Sequence, residues 1–194
     1  MAVNDEQPDE RHMRSAMLSA KLLVWGYLAY ILFFLATSYD PSDPAGFKPP
    51  FLLFVLDWVN LFIHEAGHFI FRIFGQWMHM IGGSVFQVIV PLVLAIVTFR
   101  QNPSHATLPL FWTGESMVNL SVYIADAPYK QLKLIAKGLL HDWNWLLSDN
   151  LEAAGPLSTA VFGLGILLSL LAAGGGIYFA IRSYREAGPI LSTE

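Results

Sequence analysis

His64 and His68 stand four residues apart around a glutamate in His64-Glu65-Ala66-Gly67-His68, inside the apolar run Phe51 to Phe74. On a helix this spacing puts both imidazoles on one face, one turn apart, where they can share a metal ion. Glu65 then points close enough to take a proton from a water on that ion, which is the arrangement zinc hydrolases use. Ionisable groups in hydrocarbon need partners or a water-filled cavity, so the placement of this cluster in an apolar segment is itself a functional signal.

Further polar residues recur at helical spacing. Asp57, Asn60, His64, His68 and Arg72 form one stripe, Glu115, Asn119 and Asp126 a second, and Gln87 with Pro91 lie one turn apart in a third segment. Packing the three polar faces together around a metal would remove all of them from lipid. For Glu115 and Asn119 an interhelical hydrogen bond and a role in supporting the ligands or the substrate both remain open. Gln87 reads first as structural, with the same supporting role open to it. Asp57 either orients a ligand or pairs with Arg72 through a neighbour. Gly82-Gly83 allows a tight turn and close helix approach.

A catalytic zinc takes three protein ligands and a water, so His64 and His68 need a third donor. Asp126, His141, Asp142 and, deeper, Glu115 are the candidates. The segment His141-Asp142-Trp143-Asn144-Trp145 ranks first, with either His141 or Asp142 as the ligand and the other in support; Asp126 comes next. Interfacial tryptophans would hold this segment at the membrane surface. The same residues also fit a helix N-terminus capped by Asp142 or Asn144. His12, His79 and His105 fall near segment ends and are not expected to be ligands.

The composition supports a membrane setting. Of 194 residues 55% are hydrophobic and 13% charged, where soluble domains carry about 25% charged residues. Five apolar segments approach bilayer length: Leu22–Tyr39, Phe51–Phe74, Ile81–Phe99, Ala106–Ala125 and Leu157–Ile181. The expected fold is an all-α, multi-pass transmembrane bundle of about five spans. Residues 1–20 form a polar tail, 21–185 a single transmembrane domain and 186–194 a C-terminal tail. Glu115 and Asn119 in the fourth segment also admit a re-entrant reading. The polar residues before Leu22, and the lack of a small-residue cleavage site after that segment, favour a retained helix over a signal peptide. In the membrane-surface stretch 126–156, Leu132, Ile135, Leu139 and Leu140, interleaved with Lys130, Lys133 and Lys137, predict an interfacial amphipathic helix.

Five spans would put the N-terminus on the same side as residues 75–80 and 126–156, hence near the site. The distribution of Lys and Arg then favours a cytoplasmic N-terminus. The chain has no cysteine, which excludes disulfides and thiolate ligands. Its net charge of −4 and lack of a long basic run exclude nucleic acid as a partner.

His64-Glu65-Ala66-Gly67-His68 on a transmembrane helix resembles the HExxH motif of the site-2 protease family of intramembrane zinc metallopeptidases, which commonly has Gly before the second His. The resemblance implies one zinc ion held by His64 and His68, Glu65 as catalytic base, and a transmembrane protein or peptide as substrate. That family also has an Ala-Gly-Pro motif and a distal Asp-Gly. Here Ala154-Gly155-Pro156 opens a late span, no Asp-Gly occurs, and Asp142 precedes the Ala-Gly-Pro instead of following it. The match covers the second span. The competing expectations are a lipid-directed hydrolase, an oxidising metalloenzyme, for which six histidines are few, and a protein in which a metal only staples helices.

Overall fold

The computed structural model describes residues 8–135 and 138–186, and all regular structure among them is helical. Six α-helices follow in order: α1 Pro8–Ser38, α2 Phe51–Phe71, α3 Gln76–Gln101, α4 Thr107–Ala125, α5 Asp142–Leu146 and α6 Ala154–Glu186. The expected C-terminal tail beyond Glu186, the first residues of the N-terminal tail and Lys137 lie outside the described residues.

Three stretches are long and apolar enough to cross a membrane: Asp9–Ser38, Gln76–Gln101 and Leu151–Glu186. The other two expected spans form α2, which ends at Phe71 ahead of a 3-10 turn over Arg72–Phe74, and α4, each carrying a polar stripe along one face. Leu23, Phe33 and Phe69 are 74%, 67% and 81% exposed. Large apolar side chains turned outward around a polar interior suit a lipid solvent.

Several boundaries differ from the sequence expectation. The polar stretch before Leu22 is helical from Pro8, with Asp9 and Glu10 in the first turn where the helix dipole favours acidic groups. Gly82-Gly83 lies inside α3 and makes no turn. The amphipathic helix expected over Leu132–Leu140 is absent from its described residues, and the helix nearby is the single short turn α5. The Asp126 carboxylate accepts from the backbone N–H groups of Gln131 and Leu132 at 2.8 and 3.0 Å, tying the start of the connector to the end of α4. Lys130 and Gly138 adopt φ of 54° and 85°, which an α-helix does not tolerate.

Small residues set the packing. In α4 and α6, Gly114 faces Gly165 and Ser169, and Thr107 faces Gly175, so the two helices run antiparallel in close contact. Trp25, Leu28, Ile31, Leu32 and Leu35 of α1 pack with Leu53, Phe111, Val118 and Ala172. A second cluster, around Leu120, Ile124, Trp143 and Ala154, joins α5 to the end of α4 and the start of α6.

The order of contacts along α1 corrects the expected parity. Arg14 Nη2 donates to the Tyr184 carbonyl at 2.7 Å, Trp25 lies against Gly176, and Tyr39 stacks on Phe162 with ring centroids 3.9 Å apart. The helix therefore runs antiparallel to α6. Its N-terminal end lies where α6 ends, whereas Asp142 and the start of α6 lie at the opposite end of the bundle. Tyr39 before α2 and Phe71 at its end, packed on Gly82, both lie toward the Asp142 end. The net path from Tyr39 through α2 thus returns to the end from which it set out, which is why a five-crossing parity fails.

A side chain at Gly114 would meet the Gly165 carbonyl oxygen at 2.6 Å and Ser169 N at 2.8 Å, whereas one at Gly163 meets nothing within 4 Å. Gly114→Val is expected to lower unfolding stability by about 1–3 kcal/mol, and Gly163→Ala to leave it unchanged or raise it by up to about 1 kcal/mol. Thermal melts in detergent check the pair; equal melting points would contradict the assigned α4–α6 contact.

Candidate metal centre

The centre starts from the approach of α2 to α3. A Cβ on Gly67 would lie 2.5 Å from the Gly82 carbonyl oxygen and 2.9 Å from Gly83 Cα, so the backbones touch where any larger residue would hold them apart. On the same face of α2, His64 and His68 reach over Gly83. A Cβ there would fall 2.6 Å from His64 Nε2 and 2.7 Å from His68 Nε2. Gly83 thus keeps open the space in front of both ring nitrogens.

The third group comes from α5. Asp142 Oδ2 lies 3.1 Å from Nε2 of His64 and 3.1 Å from Nε2 of His68, and the three side chains form a group whose donor atoms could hold a metal ion. The outer nitrogens fix the rings. His64 Nδ1 faces Gln87 Oε1 at 3.1 Å, and His68 Nδ1 faces the His79 carbonyl oxygen at 2.6 Å. Both partners are acceptors, so each Nδ1 donates, and the neutral form of each ring would offer its inward Nε2 lone pair to a metal. A carboxylate oxygen against two Nε2 atoms calls for positive charge at this point, supplied by ring protons or by a metal ion in their place. The donor spacing suits an ion. Tetrahedral ligands at zinc distances of about 2.0–2.1 Å are separated by about 3.3 Å.

The Gln87 orientation follows from its other end. Its Nε2 donates to Asn119 Oδ1 at 2.7 Å, and Asn119 Nδ2 donates to Asp57 Oδ1 at 2.7 Å. A carboxylate can only accept, so the chain Asp57–Asn119–Gln87–His64 has one polarity throughout. Asn60 extends the network, donating to Glu115 Oε2 at 2.9 Å and accepting from Trp112 Nε1 and Ser116 Oγ. Asp57 therefore pairs with Asn119, and not with Arg72. Glu115 is buried beside Asn60, outside the group around Asp142.

His141 and Asp126 are not brought to the centre. His141 Nε2 donates to Asp126 Oδ2 at 3.2 Å, and its Nδ1 accepts the Asn144 N–H at 3.2 Å as the cap of α5. Both ring nitrogens are thereby occupied. Burial lowers the His141 pKa despite the opposing Asp126 carboxylate, in keeping with a neutral ring that donates through one nitrogen and accepts through the other. Burial pushes the Asp142 carboxyl up, but its contacts with His64 and His68 outweigh this and hold it well below the usual carboxylate range. Trp143 is buried, and its Nε1 donates to Ser84 Oγ of α3 at 3.0 Å, so it anchors α5 inside the bundle.

Tyr123 is a participant that sequence reasoning missed. Its hydroxyl donates to Asp142 Oδ2 at 3.1 Å and accepts from the Asp142 N–H at 3.2 Å, fixing the carboxylate from two directions. The signal was available, since Tyr123 follows Asn119 by four residues and Glu115 by eight on the same helical face. His79 is not among the three donors but supports them: besides its carbonyl, its Nδ1 meets the His68 carbonyl at 3.0 Å. Gly83 carried no sequence signal beyond a helix-approach glycine.

The centre borders a cavity of about 820 Å³. Glu65 lines it and makes no hydrogen bond or ion pair with a described residue, so its carboxylate is available to a molecule inside. Leu61, Met80 and Leu134 supply apolar walls, and Arg72 and Lys133 bring positive charge. Comparison with protein-family models, with curated proteins and with solved structures finds no match to this chain.

Tyr123→Phe removes the hydroxyl that orients Asp142 and is expected to weaken zinc binding about 10- to 100-fold. Gly83→Ala places a methyl against both Nε2 atoms and should cost more. Chelator competition on the purified protein measures both; wild-type affinity in Gly83→Ala would rule out the Nε2 edges as the metal face.

Proposed function

We propose that this protein is a membrane-embedded, metal-dependent hydrolase, a zinc metallopeptidase that cleaves peptide bonds in or near the membrane. The observation that carries the reading is the convergence of His64 Nε2, His68 Nε2 and Asp142 Oδ2, with the free Glu65 carboxylate lining the adjoining cavity. In this reading α1, α3, α4 and α6 cross the bilayer, and α2 brings the HExxH segment into the bundle from the Asp142 end.

His64, His68 and Asp142 would hold one zinc ion, which when bound polarises a carbonyl and makes a water more acidic. Glu65 receives the proton of the attacking water and passes it to the leaving amine. Tyr123 holds Asp142 in place, and Gln87 and the His79 carbonyl hold the histidine rings. The amides of Asn119 and Gln87 are engaged with each other, Asp57 and His64, so they act through the ligands and do not pair with an extended substrate. Leu61, Leu134 and neighbouring apolar groups accept the side chains of a membrane segment. Peptide groups in a helix are already hydrogen-bonded, so the substrate must be locally unwound before a carbonyl reaches the centre.

A metal staple is the second reading, favoured by the way Asp142 ties the connector after α4 back onto α2. Glu65→Gln separates the two, because it removes the proton acceptor and leaves the imidazoles in place. It is expected to retain about one zinc per chain and to lose at least about 100-fold in cleavage of a fluorogenic transmembrane peptide. Metal retention without cleavage by the wild type, of either peptide or phospholipid, would favour the staple.

A further inference from the structure

A second recess, of about 610 Å³, lies at the end of the bundle away from Asp142. Lys21 of α1, His105 of the α3–α4 connection and Arg182 of α6 line it together. Lys21 makes no hydrogen bond or ion pair with a described residue. The one carboxylate among the lining residues, Glu186, takes the Nε of Arg182 at 2.7 Å; the guanidinium also meets the Tyr178 hydroxyl, and its remaining N–H groups are donors. Asn102 Oδ1 accepts from Ser104 N and Oγ at 3.0 and 2.9 Å, so its Nδ2 also remains a donor. The Ser183 hydroxyl adds another, and Phe179 forms an apolar wall.

The position of the recess matters as much as its charge. Lys21 immediately precedes the apolar run Leu22-Leu23-Val24, and Arg182 immediately follows Tyr178-Phe179-Ala180-Ile181. The cations therefore lie at the level where α1 and α6 pass from apolar to polar, which is the depth of headgroup phosphates in a bilayer. With Arg182 and Glu186 cancelling, Lys21 leaves one net positive charge, matching the single negative charge of a phosphodiester. Snorkelling of a lone lysine would account for Lys21. It would not account for donors gathered from three separate chain segments beside an apolar wall.

We infer that this recess binds the phosphate of an anionic phospholipid, with the acyl chains along the outer faces of α1 and α6. The site is separate from the metal centre and does not depend on the hydrolase reading. Native mass spectrometry of the detergent-solubilised full chain, offered phosphatidylglycerol and phosphatidylcholine in equal amounts, tests it. Phosphatidylglycerol should be retained preferentially. Each basic group near an anionic headgroup is worth about fivefold, so Lys21→Gln with Arg182→Gln should lower retention roughly 25-fold. Lys21→Arg with Arg182→Lys should preserve it, as should Lys48→Gln with Lys130→Gln, which removes equal charge elsewhere. Circular dichroism and thermal melts establish that each variant is folded. Equal retention of the two lipids, or undiminished retention in the Gln pair, would overturn the site. Full displacement by millimolar inorganic phosphate would overturn the lipid as its occupant in favour of a free anion.

Discussion

The distance between α2 and α3 governs the metal centre. Gly67 against Gly82 and Gly83 allows backbone contact, and only at that separation do the histidines on α2 pass over α3, with Gly83 leaving room for their inner nitrogens. The same approach brings His64 to Gln87 and His68 to the His79 carbonyl, so the contact that seats the rings also orients them. Ser84, the next residue of α3, receives Trp143 and so places Asp142. One glycine-lined contact thus sets the positions of all three donors.

Burying so many polar groups is costly unless each is paired, since an unpaired buried amide or hydroxyl costs several kcal/mol in an apolar medium. Asp57, Asn60, Gln87, Ser116 and Asn119 satisfy one another across α2, α3 and α4. Their directionality gives the network a second property. Because the chain from Asp57 to His64 has a fixed polarity, a group several residues from the centre determines which nitrogen of His64 faces inward. A network with one member removed would both leave a buried group unpaired and loosen that choice.

The connector after α4 shows how local competition reshapes a segment. Its apolar spacing suits a helix, yet the positive φ of Lys130 and Gly138 breaks the helical path, and Asp126 binds the N–H groups of Gln131 and Leu132 and also receives His141, holding the connector at both ends. The resulting path presents Leu132 to Ile135 to the cavity as walls. It also turns His141 inward to Asp126 and leaves the following residue, Asp142, directed at α2.

By itself the sequence determined the features that depend on periodicity. Apolar run lengths located α2, α3, α4 and α6, the four-residue spacing put His64 and His68 on one face with Glu65 between them, and the polar stripes marked which faces turn inward. The tertiary structure decided whatever depends on residues distant in the chain. Adjacent residues project in different directions, so the choice between His141 and Asp142 rested on Asp126 and Ser84, which no local pattern links to them. Tyr123 and Gly83 gained their roles only when α4 and α3 met α2. The end of the bundle that holds Lys21 likewise followed from α1 packing antiparallel to α6. Periodicity fixes which face of a helix is polar, but only packing fixes what that face meets.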